Sequence, residues 1–341
     1  MRSSWIALPY VAALATIATS AFAQEPFYKG RTISIVSPAD PGGSYDLYAR
    51  LLTQHMMRHL PGTPSAVVQN MPGAGGIRAI NYLYNIAPRD GTALQVPAQD
   101  VALREALGRD GVDFKVTNFN WIGRVAPSVD LTVTWRTSGV KSIDDARKRE
   151  VTLSATGPNS PTSVNPSALN ALIGTKFKLI SGYKSNAEMS AAMEKGETEG
   201  SFATWTTMKT TFPQWHRDRM VNYLVVYTTK RIHELPDVPA ITELTNDPAE
   251  KQIFGFLVST GELGRSLVAP PGVDPARVAE LRAAFSETMR DPAFLADVKR
   301  LNVEFDPLSG EALQKQLAEM FEAPKEVLAR TREIVLGGVR R

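Results

Sequence analysis

The fold can be read from one stretch of sequence, Thr32-Ile33-Ser34-Ile35-Val36-Ser37-Pro38-Ala39-Asp40-Pro41-Gly42-Gly43-Ser44. Its first six residues are mostly β-branched and apolar, which predicts a buried strand. The Pro/Gly turn at 38–43 ends this strand. Apolar residues at i, i+3 and i+4 spacing then predict a helix from Ser44 to about His59. Glycines allow close approach of a ligand to the backbone, and the first helical turn offers unpaired amides. An anion-binding loop and an ordinary strand-to-helix turn both fit this pattern.

The same strand–turn–helix pattern recurs along the chain, which indicates an α/β fold with a mostly parallel sheet. Further strands are predicted at 66–68, 93–96, 130–134, 151–155, 179–180, 201–202 and 223–227. A second Gly/Ser-rich loop, Thr156 to Ser163, also follows a strand and precedes a helix. Neither loop contains Lys or Arg, so an anion bound there is expected to be held by amides and hydroxyls rather than by a salt bridge.

The last third of the chain predicts well-capped helices. Asp274-Pro275 and Asp291-Pro292 each place an N-cap before a proline at the first helical position, and Ser309 caps a third helix. Apolar stripes follow each cap, as expected for helices that pack on a core.

Length and composition limit the classes of function. A chain of 341 residues predicts two domains. The formal net charge is only +3, which gives no support to nucleic-acid binding, and the absence of cysteine excludes disulfides and thiolate chemistry.

The N-terminus predicts export. Arg2 precedes an apolar run from Trp5 to about Thr19, and Ser20-Ala21-Phe22-Ala23 ends in an Ala-x-Ala cleavage site. The run is short for a bilayer span. We therefore expect residues 1–23 to be a signal peptide, cleaved after Ala23, and the mature protein to be periplasmic.

Metal and catalytic motifs are weak. His55 and His59 are four residues apart on one helix, but the glutamate of a His-Glu-x-x-His site is missing. No Gly-x-Ser-x-Gly elbow, Walker A loop or complete Gly-x-Gly-x-x-Gly is present. We expect no metal, no cofactor and no enzymatic activity.

A series of ordered motifs runs through the chain from about Tyr28 onwards. They are Ser37 to Asp46, Gln69 to Gly76, Pro88 to Thr92, Ser181-Gly182-Tyr183-Lys184, Glu194 to Gly200, Leu235 to Pro239 and Ala269 to Val273. Together they resemble the signatures of the Bug-type solute receptors, the extracytoplasmic binding proteins of tripartite tricarboxylate transporters.

The resemblance implies a periplasmic-binding-protein type of α/β fold, with two lobes joined by two crossover segments and a ligand in the cleft between them. We expect residues 24–124 and 230–341 to form lobe one and residues 125–229 to form lobe two. The implied function is capture of a small carboxylate (a di- or tricarboxylate, an amino acid or an aromatic acid) for membrane permease subunits by a monomer. A ligand-sensing receptor that docks on a signalling partner, and a hydrolase, stay open as alternatives.

The resemblance also implies a set of ligand contacts in and around the two loops. These are Pro38, Ala39, Gly42, Gly43, Ser44, Ala98, Thr156, Gly157, Asn159, Ser160, Ser163, Tyr183 and Trp205. The sequence fits a place for Trp205 in the core as well as one in the cleft. The second loop departs from the family pattern at Pro158, Asn159, Pro161 and Asn165. Asp46 is expected to bond loop amides and hold the turn, because its charge would repel a carboxylate.

Overall fold

The computed structural model describes residues 25–337 apart from 158–159, 184–185 and 323. The predicted signal peptide and its cleavage site lie outside the described residues. Within the described part, the strands form one six-stranded and one five-stranded sheet, and helices pack around both.

The strands are β1 (Thr32–Ser37), β2 (Ser65–Asn70), β3 (Ala93–Gln95), β4 (Asn120–Arg124), β5 (Asp130–Trp135), β6 (Val151–Ala155), β7 (Phe177–Ser181), β8 (Gly200–Thr204), β9 (Val221–Val226), β10 (Ser266–Ala269) and β11 (Leu308–Ser309). The helices are α1 (Ser44–His55), α2 (Ile77–Asn85), α3 (Val101–Ala106), α4 (Ile143–Lys148), α5 (Pro161–Ile173), α6 (Asn186–Glu194), α7 (Trp205–Thr210), α8 (Pro213–Arg217), α9 (Pro248–Ser259), α10 (Pro275–Thr288), α11 (Pro292–Leu301), α12 (Gly310–Phe321) and α13 (Lys325–Gly337). The helix predicted from Ser44 to His59 is confirmed, with its last turn, Met56–His59, tightened to a 3₁₀ helix.

The first sheet has the order β11-β4-β10-β3-β1-β2 and the second the order β7-β6-β8-β5-β9. In the first sheet β1, β2 and β3 are parallel, and β10 runs antiparallel between β3 and β4. In the second sheet β6 is parallel to β7 and β8, and β5 is antiparallel to β8 and β9. The expectation of a mostly parallel sheet is therefore wrong, because both sheets are mixed. The chain enters the second sheet between β4 and β5 and is back in the first at β10, so each lobe is built around its own sheet.

Every strand predicted from the sequence is found, because each combines apolar or β-branched residues with a turn signal, although β3 and β9 end one residue before the predicted 96 and 227. Strands β1, β3, β6 and β8 have few exposed residues or none, as expected for strands covered on both faces. The antiparallel β10 and the helices α3 and α9 were not predicted from the sequence.

Two helices distant in sequence add to the core of the second sheet. Phe254 and Leu257 of α9 and Val327 of α13 lie in one buried cluster with Leu153 and Leu169 of the second lobe. Helix α12 instead packs on β4 of the first sheet. The lobe boundaries expected from the sequence, 24–124 with 230–341 and 125–229, stay a prediction; the structure adds the packing of α9 and α13 on the second core.

Candidate functional site

The loops predicted to bind a ligand lie at the carboxyl edges of both sheets. Strands β1, β2 and β3 end at one edge of the first sheet, and β6, β7 and β8 end at one edge of the second. The two edges face each other, as a hydrogen bond between them shows. Gln99, just after β3, donates from Nε2 to Oδ2 of Asp130 at the start of β5 (2.6 Å). Ligand sites of open α/β sheets lie outside such carboxyl ends.

On the first lobe, loops from three strands converge. A Cβ atom built on Gly76 would lie 2.8 Å from the Ala98 Cβ and 3.2 Å from the Pro38 Cβ, so these residues are in close proximity. Gly76 has φ +94°, which favours glycine. The structure therefore brings together Pro38, Ala98 and the Gln69–Gly76 motif.

Asp46 holds the first loop, residues 38–43, through hydrogen bonds. The Gly42 amide donates to Asp46 Oδ2 (2.9 Å), and Asn70 Nδ2 donates both to Asp46 Oδ1 (2.9 Å) and to the Ala39 carbonyl (2.8 Å). Burial raises the pKa of Asp46, but hydrogen bonds from Arg50, the Gly42 amide and Asn70 outweigh it and leave the pKa below its usual value. The expectation that Asp46 bonds a loop amide is confirmed, and the Gly42 amide is consequently already occupied.

The amides of Gly43 and Ser44 have no hydrogen-bond partner among the described residues. Gly43 is the N-cap of α1, and no side chain caps the helix. These two N–H groups, with the partial positive charge of the helix start, are the donors that the first lobe offers.

The second loop is organised by hydroxyl groups. The Thr156 amide donates to Thr162 Oγ1 (3.0 Å), Thr156 Oγ1 donates to Ser160 Oγ (2.9 Å), and Ser160 Oγ donates to the Gly157 carbonyl (2.8 Å). Ser163 Oγ is buried and has no partner among the described residues. Asn159 lies outside the described residues. No hydrogen bond within the described part joins this loop to the first one.

The structure brings Arg265, which precedes β10, to the first loop. Its Nη2 donates to Ser44 Oγ (2.9 Å) and Ser128 Oγ (3.3 Å), and its Nη1 donates to Gln99 Oε1 (3.0 Å). The guanidinium also lies 4.3 Å from the centre of the Tyr45 ring. Sequence reasoning missed this residue: the only signal was a charged side chain directly before a buried apolar strand.

Asp130 completes this polar cluster between the lobes. Ser128 Oγ donates to its Oδ1 (3.2 Å), so Gln99 and Ser128 both bridge Arg265 and Asp130. Burial raises the pKa of Asp130 to about 7, against the opposing charge of Arg265. At neutral pH this carboxyl is therefore only partly ionised.

Tyr183 and Trp205 follow the ends of β7 and β8 at the same edge of the second sheet. Tyr183 is half-buried. Trp205 is buried in a cluster with Leu131, Met208 and Trp215, and its ring packs edge-on against His216 at 5.1 Å. Its role as a stacking surface for a ligand stays a prediction, and so do the other expected ligand contacts.

His55 at the end of α1 and His59 in the 3₁₀ turn after it contact two different carboxylates, that of Asp297 in α11 and that of the α11 N-cap Asp291. His55 Nε2 lies 2.9 Å from Asp297 Oδ2, and His59 Nε2 lies 2.9 Å from Asp291 Oδ2. Among the described residues there is no group of three or more His, Cys, Asp or Glu that could hold a metal ion. The histidines tie α1 to α11.

An open cleft of about 730 Å³ lies beside the first loop. It is lined by Pro41, Gly42, Arg50 and Asp46 from the first lobe and by Lys209 to Thr211 from the second. Arg300, Leu301 and Asn302 also line it, whereas Gly43, Ser44 and the described residues of the second loop do not. None of the described helices is both long and apolar enough to cross a bilayer.

Two sheets with opposed carboxyl edges and a cleft between them define a two-lobed solute-binding protein of the periplasmic type. The family model described as "Tripartite tricarboxylate transporter family receptor" matches residues 48–332, and the chain belongs to this family.

Relatives and solved structures agree with this assignment. The chain is 25% identical to the Cupriavidus necator "UPF0065 protein in gbd 5'region" over 93% of this chain and 92% of that protein. The periplasmic binding protein BugD superposes with a TM-score of 0.68 at 21% identity, covering 91% of this chain and 98% of BugD. A Rhodopseudomonas palustris protein, MatC, solved with bound malate, gives a TM-score of 0.62 at 19% identity, covering 89% of this chain and 99% of MatC. These structural likenesses concern the fold.

Proposed function

We propose that this protein captures a small carboxylate outside the cytoplasm and delivers it to the membrane permease of a tripartite tricarboxylate transporter. The observation that carries the proposal is the pair of amides without a partner among the described residues, at Gly43 and Ser44 at the start of α1, directly after Gly42, which lines the cleft. Hydrogen bonds to a charged group contribute about 1.5–3 kcal/mol each, so a few of them are enough for micromolar binding.

The nature of the ligand is supported by the family and by solved structures of the same fold. One R. palustris structure of this fold was solved with adipate and another with malate. We infer that the ligand of this chain is likewise a small carboxylate, held by Gly43 and Ser44 on one lobe and by Thr156, Gly157, Ser160 and Ser163 on the other.

Mass spectrometry of the small molecules released on denaturing the purified protein tests the proposal directly. A thermal-shift panel of malate, succinate, adipate, L-glutamate and benzoate complements it, because a ligand at 100 times its Kd stabilises the folded state by about 2.7 kcal/mol. A panel in which no carboxylate stabilises the protein, together with no released acid, would refute the proposal.

Export and delivery are separate parts of the proposal. We infer cleavage after Ala23, which N-terminal sequencing of the periplasmic protein checks. Copurification of the liganded receptor with permease subunits favours transport, whereas ligand-dependent capture of a sensor protein would favour a signalling receptor. Turnover of an ester or amide by the purified protein would favour a hydrolase.

A further inference from the structure

Three arginines of the described residues are buried, and they differ in how their charge is balanced. Arg104 pairs with Asp100 at 2.6 Å, and Arg124 pairs with Glu262 at 2.9 Å and Asp306 at 3.0 Å. Arg265 is 2% exposed, and no carboxylate of the described part of the chain forms an ion pair with it. Arg265 is therefore the exception among the buried arginines.

All the acceptors that Arg265 does have are neutral. They are the side-chain oxygens of Ser44, Gln99 and Ser128 and the Gly264 carbonyl, and Nε has no partner among the described residues. Removing a guanidinium from water is costly unless an anion is close to it. Asp130 is connected to Arg265 only through Gln99 and Ser128.

The position of Arg265 connects it to the first loop. Its Nη2 bonds Ser44 Oγ, and the Ser44 amide, at the start of α1, has no partner among the described residues. An anion on the Gly43 and Ser44 amides would lie near the guanidinium, which could pair with it through Nε–H, the donor without a partner among the described residues, or by exchanging the bond from Nη2 to Ser44 Oγ.

We propose that Arg265 is a specificity-determining residue that pairs directly with the ligand carboxylate bound at Gly43 and Ser44. This inference rests on the proposed function and refines it: the ligand is recognised at this end as an anion, and a neutral amide or ester end group is rejected. The expectation that amides and hydroxyls alone hold the anion is thereby replaced by an ion pair contributed from outside both loops.

The test compares Arg265→Met with Arg124→Met in isothermal titration calorimetry, using the tightest acid of the malate, succinate, adipate, L-glutamate and benzoate panel. Truncating one partner of a buried charge pair costs enough to weaken binding about 30-fold or more, and we expect this for Arg265→Met. Arg124→Met is expected to bind within about threefold of the wild type, since Arg124 pairs with carboxylates of its own chain.

A second measurement, the melting temperature without ligand, separates recognition from a structural role. Arg265→Met removes a buried charge without an ion-pair partner among the described residues but strands its neutral acceptors, so it should melt below the wild type by less than Arg124→Met does. Arg124→Met leaves Glu262 and Asp306 without their partner and should melt below it.

The outcomes distinguish the two proposals. If the wild type binds a carboxylate and Arg265→Met binds it equally tightly, or if Arg265→Met melts as low as Arg124→Met, the assignment of Arg265 is wrong and the proposed function stands. If the wild type binds no carboxylate, both proposals are refuted.

Discussion

Gly42 and Gly43 are adjacent in the first loop but differ in what a side chain would do there. Gly42 has φ +89°, so any side chain would strain the backbone. Gly43 has φ −78°, and a Cβ atom would meet only the Asp40 carbonyl oxygen at 3.7 Å and the Ala39 Cβ at 4.0 Å, which are ordinary contacts. Gly43 is therefore the position at which ligand approach can be blocked without disturbing the fold.

We predict that Gly43→Val weakens carboxylate binding about 30-fold or more, because the branched side chain keeps the anion away from two charged hydrogen bonds. Its melting temperature should remain close to that of the wild type. Calorimetric titration with the panel acid measures the first effect and a thermal melt the second.

The matched control is the double variant His55→Gln and His59→Gln, which alters the opposite end of α1. It should bind normally and melt at a lower temperature, since the contacts to Asp297 and Asp291 are changed. Normal binding by the glycine variant, or loss of binding by the histidine variant, would place the ligand elsewhere.

Asp130 should make stability depend on pH. Its folded pKa of about 7 is above the ordinary value of 3.8, so the folded protein binds this proton more tightly than the unfolded chain. Its contribution to stability consequently falls as pH rises from about 4 to about 7. We predict that Asp130→Asn unfolds at higher urea than the wild type at pH 8 and that the two converge below pH 4.

Asp46→Asn is the control with the opposite sign. Its folded pKa is lowered, so the charge of Asp46 stabilises the protein above the unfolded pKa and is lost as pH falls. This variant should be less stable than the wild type at pH 7 and converge with it in acid. Parallel urea midpoints for Asp130→Asn and the wild type across the pH range would contradict the prediction.

Residue-level prediction from sequence succeeded where the partners are close in the chain. Asp46 is four residues from Gly42, so its contact with the loop amide follows from local spacing. Arg265 is 221 residues from Ser44, and only the insertion of β10 between β3 and β4 brings them together. No periodicity in the sequence contains that information.

At the scale of elements, three helices begin with Asp-Pro, and each aspartate accepts an amide of the first turn. Asp247 caps α9, Asp274 caps α10 and Asp291 caps α11. The caps of α10 and α11 were predicted from the sequence and are confirmed. Asp291 also contacts the end of the first helix: its Oδ2 lies 2.9 Å from His59 Nε2 and 3.6 Å from Arg58 Nη1.

We predict that Asp274→Ala lowers the free energy of unfolding by about 1 kcal/mol, the usual cost of a lost N-cap. Asp291→Ala should cost more, because the contact between α11 and the end of α1 is lost with the cap. Urea denaturation of the two variants provides the comparison, and equal losses would show that the His59 contact adds no stability.

Elements that the sequence did not predict are those whose environment comes from distant parts of the chain. Helix α9 carries the run Ile253-Phe254-Gly255-Phe256-Leu257-Val258, which is almost entirely apolar and shows no single hydrophobic face. It is buried because α5 and α13 cover it. Such a run fits a buried strand or a buried helix equally well from periodicity alone.

At the scale of the whole molecule, contacts between the lobes determine how readily the cleft opens. Thr206 of α7 donates a hydrogen bond to Glu304 of the first lobe. Lys209 Nζ lies 3.1 Å from Glu304 Oε1, an ionic contact without hydrogen-bond alignment. Both charged side chains are mostly buried, so this contact is weakly screened by salt.

We predict that Glu304→Gln shifts the unliganded protein towards the open form and weakens ligand binding by up to about tenfold, since closure then costs up to about 1.4 kcal/mol more. Small-angle X-ray scattering should show a larger radius of gyration. Glu199→Gln is the control, because Glu199 and its partner Arg149 both belong to the second lobe. An unchanged radius and affinity for Glu304→Gln would exclude this contact as a determinant of closure.

The packing of α13 has a mechanical consequence. The chain passes from the first core to the second after β4, returns between α9 and β10, and reaches the second core again with α13; Leu103 and Leu107, at α3, also lie in the second core. Two connecting segments alone would let the lobes both bend and twist relative to each other. A further connection at another point resists the twist. We therefore expect the two lobes to open along a single arc. The distance between fluorescent dyes attached to α12 and α13 would report the opening angle.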